Sequence, residues 1–147
     1  MRILACGNCE RADDGAGILV GERLQALGVD VQVESGEALS LIEAWSGADE
    51  VIVIDAVLTG ARAGTVHIWE NPRALPVGVQ ASSHGFGVAE AVELARALGR
   101  LPRRLRIFGI EGKEFQLGSN VSPEVMAGVD EVARLIEAQL PLQLCVR

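Results

Sequence analysis

Short apolar runs alternate along the chain with longer segments in which apolar residues recur at helical spacing. Five runs have the pattern of strands: residues 2–6, 31–33, 51–54, 65–69 and 105–110. Four segments have the pattern of helices: about residues 14–27, 38–46, 87–98 and 123–140. Strands that alternate with helices predict an α/β fold, a three-layer helix-sheet-helix sandwich around a twisted, mostly parallel sheet of about five strands.

The same pattern predicts which surfaces are buried. Residues 51–54 are apolar throughout, which is typical of a central strand covered on both faces. Each predicted helix carries its apolar residues on one face: Val20, Leu24 and Leu27; Ala38, Leu41, Ile42 and Trp45; Val88, Ala91, Val92 and Ala95; and Val125, Val129, Val132 and Ile136. The strand at 65–69 follows 51–54 too closely for a helical crossover, so we expect it to be antiparallel or at an edge, with His67 facing solvent. The pattern leaves the order of the strands open.

Composition fits a single globular domain over residues 1–147, with 49% hydrophobic and 22% charged residues. No apolar run approaches the ~20 residues that span a bilayer, and the first one is too short for a secretory signal. We therefore expect a cytoplasmic protein without a membrane partner. The net charge of −7 argues against nucleic acid as the main partner.

The three cysteines give a weak signal. Cys6 and Cys9 have the C-x-x-C spacing of redox pairs and zinc half-sites, but no second C-x-x-C or paired histidine follows. Cys6 completes an apolar strand, where a thiol packs as a small hydrophobe. We expect Cys6, Cys9 and Cys145 to be reduced and structural.

Acidic and imidazole side chains occur where predicted strands end or helices begin. Asp13 and Asp14 open the first helix, Asp55 follows the central strand, and His84 precedes the third helix. Such positions converge on one edge of an open α/β sheet, where ligands bind. Two carboxylates and one imidazole suit Zn, Ni, Mn or Fe, and three protein ligands leave coordination positions open for chemistry. The pattern predicts an Asp/Asp/His metal site.

Each of these residues also has a simpler interpretation. One aspartate of the Asp13-Asp14 pair suits a helix cap, although two adjacent carboxylates repel each other. Asp55 suits an acceptor for loop amides, and His84 suits a hydrogen-bonded structural residue. The role of Asp13 stays open between a helix cap and a residue that supports the metal-binding acid.

Two other kinds of site fit less well. Ser83 beside His84 suggests a serine hydrolase, but no G-x-S-x-G elbow is present. The glycine-bearing loop at residues 7–17 suggests a dinucleotide site, yet it lacks G-x-G-x-x-G. Its acidic pair would also lie where a pyrophosphate docks, so a cation suits this helix start better than an anion.

Five short blocks occur in order along the chain: Gly7-Asn8 with Asp13-Asp14-Gly15-x-Gly17, Asp55-Ala56, Gly64-Thr65-Val66, Ser83-His84-Gly85, and Gly109-Ile110-Glu111 with Ser122-Pro123. Together they resemble the hydrogenase maturation endopeptidases, which trim the C-terminus of the large subunit of nickel-iron hydrogenases. The resemblance extends from about Ile3 to the last helix.

The resemblance implies a twisted sheet between helices and specific roles for three residues. The family's metal-contacting acids correspond to Asp14 and Asp55, and its histidine corresponds to His84. These residues would meet nickel already inserted in the hydrogenase precursor, so that the substrate supplies the metal and cleavage follows metal insertion. The resemblance also implies a protease without conventional serine, cysteine or zinc machinery, and we expect a monomer. The segment Cys9-Glu10-Arg11 departs from the more apolar loop of many relatives, which bears on the choice of precursor.

Two alternatives stay open. A nickel chaperone or assembly factor would use the same ligands without cutting, since no covalent nucleophile is identifiable. A metal-dependent hydrolase of small molecules would bind its metal tightly in isolation, whereas the maturation hypothesis predicts weak binding until the substrate contributes ligands.

Overall fold

The computed structural model describes residues 1–73, 75 and 87–140. Five strands are formed: β1 (Arg2–Cys6), β2 (Gln32–Glu34), β3 (Glu50–Val57), β4 (Val66–Glu70) and β5 (Arg104–Glu111). Four α-helices accompany them: α1 (Ala16–Ala26), α2 (Ala38–Trp45), α3 (Gly87–Leu98) and α4 (Pro123–Gln139). The predicted α/β class is confirmed. None of the helices in the described part is long and apolar enough to cross a membrane.

The strands form one sheet in the order β2-β1-β3-β5-β4. Neighbouring strands are parallel except β4, which pairs antiparallel with β5 at the edge of the sheet. Both parts of the expectation for β4 are therefore confirmed. The order, which the sequence pattern left open, places β3 in the centre, so that the residues at its carboxyl end have strands on both sides.

Helices cover both faces of the sheet. One core lies between the sheet and helices α1 and α4, and the other lies between the sheet and helices α2 and α3. The residues of the four predicted helical stripes are buried except Leu27, and so are residues 51–54 of β3. Leu27 is 41% exposed because it lies just past the last residue of α1. This arrangement is the predicted helix-sheet-helix sandwich, and it leaves the carboxyl ends of β1, β3 and β5 at one edge of the sheet.

The chain departs from the predicted pattern at the start of the first helix. Residues Ala12–Gly15 form a short 3₁₀ turn, and α1 begins only at Ala16. The two aspartates of this turn are fully buried, whereas the caps of a surface helix stay in contact with water. Hydrogen bonds from Lys113, Glu114 and Ser122 to Asp13 hold this turn against the segment between β5 and α4.

The prediction that His67 faces solvent is wrong. Its side chain is only 21% exposed, its Nε2 lies 3.1 Å from Glu111 Oε1, and its ring stacks on Trp69 with a centroid separation of 5.1 Å. Ile68, on the opposite face of β4, is instead 47% exposed. The more exposed side chains of β4 therefore lie on the face opposite to the one predicted. The imidazole of His67 turns inward because the buried carboxylate of Glu111, on the neighbouring strand, gives it a partner.

Candidate active site

Four acidic side chains are buried at the carboxyl edge of the sheet. Asp13 and Asp14 lie in the turn that follows β1, Asp55 lies near the end of β3, and Glu111 is the last residue of β5. All four are 0% exposed. Burying a carboxylate is costly unless donors or a cation compensate its charge, so the partners of each acid indicate its role.

Asp13 has a full set of hydrogen-bond donors. Its Oδ2 accepts from the Lys113 amide at 2.8 Å, from the Glu114 amide at 2.8 Å and from the Ser122 hydroxyl at 2.9 Å. Its Oδ1 accepts from the Ser122 amide at 2.7 Å. Asp13 therefore anchors the segment between β5 and α4 to the turn after β1. This contact is neither a helix cap nor a bond to the other site acids.

The predicted start of α4 is confirmed, but its N-cap residue has a tertiary partner. Ser122 is the N-cap residue, with Pro123 at the first helical position, and its side chain makes no cap hydrogen bond. Its hydroxyl donates to Asp13 instead. The helix start was identified correctly, whereas the tertiary partner of its capping residue had no local signal.

Glu111 is the second acid with a full set of donors, and sequence analysis assigned it no role. Its carboxylate accepts from the backbone amide and the hydroxyl of Thr59, at 2.8 and 2.6 Å, and from the Gly60 amide at 3.3 Å. His67 completes the set. One signal was available: Glu111 ends an apolar strand, as Asp55 nearly does on the strand beside it.

Asp55 has a different environment. Asp55 Oδ1 accepts one hydrogen bond, from the Ala56 amide at 2.8 Å, and Oδ2 is buried with no hydrogen-bond partner among the described residues. Burial, followed by the negative charge of Asp14, raises the pKa of Asp55 well above its ordinary value. The two acids identified from sequence are thus brought together, in an arrangement that favours a proton or a cation.

A close backbone approach sets this arrangement. A Cβ on Gly17 would lie 2.4 Å from the carbonyl oxygen of Cys6 and 2.5 Å from that of Ile54. The absence of a side chain at Gly17 therefore lets α1 lie against the ends of β1 and β3. As a result, the turn that carries Asp14 is held beside Asp55.

The donor set fits a divalent cation. Two buried carboxylates with one unbonded oxygen supply hard, negatively charged ligands, and an imidazole would complete a mixed N/O site. His84 lies outside the described residues, together with Ser83. Within residues 1–73, 75 and 87–140, no group of three His, Cys, Asp or Glu side chains is arranged to hold a metal ion.

The cysteines do not form a redox pair of the usual reactive kind. Cys6 is fully buried at the end of β1, as predicted, and Cys9 is exposed. Burial raises the pKa of the Cys6 thiol, and the charges of Asp55, Glu34 and Asp14 raise it further. A thiol with a raised pKa stays protonated, whereas reactive cysteines are thiolates. Cys145 lies outside the described residues.

Comparison with known proteins identifies the family. The family model HycI, described as hydrogenase maturation protease, matches residues 25–139. The chain belongs to the hydrogenase maturation protease family. It is accordingly a peptidase. The matched range includes Asp55 and the neighbouring strand β5, and it begins after β1 and Asp14.

Individual relatives match most of the chain. The chain is 30% identical over 129 residues to protein FrxA of Pyrococcus furiosus, covering 84% of this chain and 93% of the relative. It is 31% identical over 132 residues to the hydrogenase expression/formation protein HupD of Thiocapsa roseopersicina, covering 84% of this chain and 59% of that longer relative.

Solved structures of other proteins have the same fold as this chain. The nickel-iron hydrogenase maturation protease HybD of Thermococcus kodakarensis is 29% identical, with a TM-score of 0.73, and the match covers 94% of this chain and 98% of that one. The hydrogenase maturating endopeptidase HybD of E. coli has the same TM-score of 0.73 at 22% identity, over 94% of this chain and 91% of that one, and supports the fold alone.

Proposed function

We propose that this protease removes the C-terminal extension of a nickel-iron hydrogenase large-subunit precursor after nickel has been inserted. The observation that carries the proposal is the buried pair Asp14 and Asp55, whose mutual repulsion is relieved when a cation lies between them. Two of the similar proteins are a nickel-iron hydrogenase maturation protease and a hydrogenase expression/formation protein, which supports a hydrogenase precursor as the partner. The site is proposed to work in the cytoplasm, in a monomeric protein, on a precursor that brings the nickel with it.

Asp14, Asp55 and His84 are the proposed nickel ligands. By binding the nickel of the precursor, they hold the neighbouring peptide bond at the carboxyl edge of the sheet. Positioning of this kind supplies several kcal/mol of a reaction barrier, of the order of 7–11 kcal/mol in favourable cases. A precursor without nickel gives the two carboxylates no cation to share, so the same site rejects unfinished substrate.

The direct test is intact mass spectrometry of the cognate precursor, with and without nickel, after incubation with the protease. We expect loss of a C-terminal peptide from the nickel-loaded precursor alone. Equal cleavage of both forms would contradict recognition through nickel. An unchanged mass of the loaded precursor, together with a stable complex, would favour a nickel chaperone instead.

His84→Ala tests the third proposed ligand separately. We expect this variant to fold normally, with the circular dichroism spectrum and unfolding temperature of the wild type, yet to leave the nickel-loaded precursor uncut. The other histidine provides a matched control, because His67→Ala removes an imidazole that contacts Glu111 rather than the acid pair. Full processing by His84→Ala would remove this residue from the mechanism.

A further inference from the structure

Hydrogen bonds centred on Asp13 join two loops at the carboxyl edge of the sheet. The β1–α1 loop, residues 7–15, carries Asp14, and the β5–α4 loop, residues 112–122, carries the donors to the Asp13 carboxylate. Asp13 also donates its own amide to the Glu114 carbonyl at 2.9 Å. Both the side chain and the backbone of Asp13 therefore tie the β1–α1 loop to the β5–α4 loop.

Two further bonds join these loops closer to solvent. Arg11 Nε donates to the Phe115 carbonyl at 3.1 Å, and the Gly118 amide donates to the Glu10 carbonyl at 3.0 Å. Glu10 and Gly118 are exposed, so water can replace their bond at little cost. Asp13 is fully buried, and bonds to a buried charge are stronger than neutral ones. Asp13 thus provides the principal restraint between the two loops.

The backbone of Asp14 is bonded within its own loop. Its amide donates to the Arg11 carbonyl at 3.0 Å, and its carbonyl accepts from the Asn8 amide at 3.3 Å. A Cβ on Gly7 would lie 2.1 Å from the same carbonyl oxygen, so the loop closes tightly on itself at Asp14. Because the loop is bonded to itself there, a displacement of Asp13 shifts Asp14 with it.

Backbone strain beside Asp13 indicates how firmly the loop is held. Ala12 has a φ of +49°, in the left-handed region that residues with a Cβ rarely adopt, and it is buried. Strain of this kind persists only where the surrounding structure over-determines the conformation. The bonds of Asp13, the next residue, supply such a restraint.

We propose that Asp13 is a positioning residue for the reaction, which places Asp14 beside Asp55 by tying the β1–α1 loop to the β5–α4 loop. The inference rests on the proposed function, because Asp14 is to bind the nickel that the precursor carries. Both oxygens of Asp13 already accept hydrogen bonds, so its carboxylate acts through Asp14 and not as a ligand. Ser122, which donates through its amide and its hydroxyl, acts in the same direction.

Amide hydrogen exchange of the free protein tests the restraint directly. Asp13→Asn puts an amide donor where donors already point, which releases the loop. The amides of Asn8 and Asp14, bonded within that loop, should then exchange about tenfold faster, as expected when a hydrogen bond to a charged group is lost. Wild-type exchange rates at both amides in a folded Asp13→Asn variant would overturn the proposal.

Ile136→Ala is the control for a general loss of stability. Ile136 is fully buried in α4, one turn before Gln139, whose side chain contacts Arg106 near the amino end of β5. Its truncation leaves a cavity that lowers the unfolding temperature, far from the carboxyl edge of the sheet. Loop amides exchange through local opening, so those of the β1–α1 loop should keep their wild-type rates in this variant.

The role in the reaction is tested by the Kd of the nickel-loaded precursor, measured by calorimetry at a temperature where every variant is folded. Asp13→Asn should raise Kd about tenfold, the lower end of what is lost when a residue that orients a metal ligand is replaced. Ile136→Ala should keep the wild-type Kd, and so should Asp30→Asn, the same chemical change at an exposed position. A wild-type Kd in Asp13→Asn would show a merely structural role and overturn the proposal.

A double variant tests whether Asp13 acts through Asp14. If it does, Asp13→Asn should cause no further rise in Kd when it is added to Asp14→Asn. Independent, multiplicative losses in the double variant would overturn the positioning role.

A milder variant covers the case in which Asp13→Asn does not fold. Ser122→Ala removes the hydroxyl bond of 2.9 Å to Asp13 and keeps the amide bond of 2.7 Å. It should speed exchange at Asn8 and Asp14 and raise Kd by smaller factors than Asp13→Asn. Wild-type values of both quantities in Ser122→Ala would contradict the proposal.

The two measurements separate this inference from the proposed function, because hydrogen exchange needs no precursor. If wild-type protein neither binds nor cleaves the nickel-loaded precursor, the proposed function fails, and the role of Asp13 in the reaction fails with it. If wild type binds without cleaving, only proteolysis fails, and the Kd of Asp13→Asn still decides the positioning role. If wild type cleaves while Asp13→Asn keeps the wild-type exchange rates and Kd, this inference alone fails.

Discussion

At the scale of single residues, Asp13 and Asp55 are both buried aspartates, and their pKa values shift in opposite directions. Burial raises the pKa of Asp13, but the hydrogen bonds from Ser122, Lys113 and Glu114 outweigh it and leave that pKa lowered. For Asp55, burial and then the charge of Asp14 raise the pKa, and a single amide opposes them. Ionised Asp13 therefore stabilises the folded state, whereas ionised Asp55 destabilises it.

Replacing Asp55 with asparagine should make the nickel-free protein more stable. The raised pKa means that the folded state keeps a proton that the unfolded state releases above about pH 4. The free energy of unfolding of the wild type should thus fall as pH rises from about 4 through the raised pKa. Asp55→Asn should flatten this dependence and gain about 0.5–2 kcal/mol at pH 7, the usual range for a single stabilising substitution. Urea titrations at several pH values measure the free energy of unfolding of both proteins. A less stable Asp55→Asn variant at pH 7 would contradict the prediction.

Replacing Asp13 with asparagine should have the opposite effect. A lowered pKa contributes stability that is present above about pH 4 and is lost as pH falls through the folded pKa. Asp13→Asn places an amide donor where donors already point, which should cost about 1–3 kcal/mol at pH 7. Asp30→Asn, at an exposed position, is the matched control. Urea denaturation at pH 7 compares the two, and equal stabilities would show that Asp13 is not an anchor.

At the scale of elements, Gly17→Ala should separate α1 from the sheet. Alanine at an exposed helix position stabilises by about 1 kcal/mol relative to glycine, but this Cβ would meet two backbone carbonyl oxygens within 2.5 Å. Overpacking of this kind costs about 1–3 kcal/mol and moves Asp14 away from Asp55. We expect both the free energy of unfolding and the rate of precursor cleavage to fall. Glu22→Ala, on an exposed position of α1, should change neither, and a stabilised, fully active Gly17→Ala would contradict the close approach.

Elements could be predicted where local pattern and tertiary packing agree. The stripe of α2, the apolar run of β3 and the edge position of β4 all followed from periodicity and chain length. Two features did not follow, because they depend on distant partners: the 3₁₀ turn at Ala12–Gly15 and the inward orientation of His67. Asp13 contacts a segment about 100 residues away, and His67 contacts Glu111, 44 residues away. Periodicity carries no information about such pairs.

At the scale of the whole molecule, the parallel sheet explains how the candidate site assembles. Its strand order places β1 and β5 on either side of β3, so acids from three separate regions of the chain meet at one edge. Convergence of Asp14 and Asp55 could be predicted because each ends or follows a strand. The division of the four acids into two anchors, Asp13 and Glu111, and one repelling pair could not be predicted. The anchors depend on amide donors from two loops, which the sequence pattern does not reveal.

The same division predicts how the isolated protease responds to nickel. Two carboxylates attract a divalent ion, but the proposed site is completed only when the precursor contributes its own ligands. At nickel concentrations below Kd, binding adds less than about 0.4 kcal/mol to stability, or roughly 1–2 °C in Tm for a domain of this size. We therefore expect added nickel to leave the Tm of the isolated protein nearly unchanged, in the wild type and in Asp55→Asn alike. A large rise in the wild type that disappears in Asp55→Asn would show a resident metal site, and would favour a metal-dependent hydrolase of small molecules over recognition of a nickel-loaded precursor.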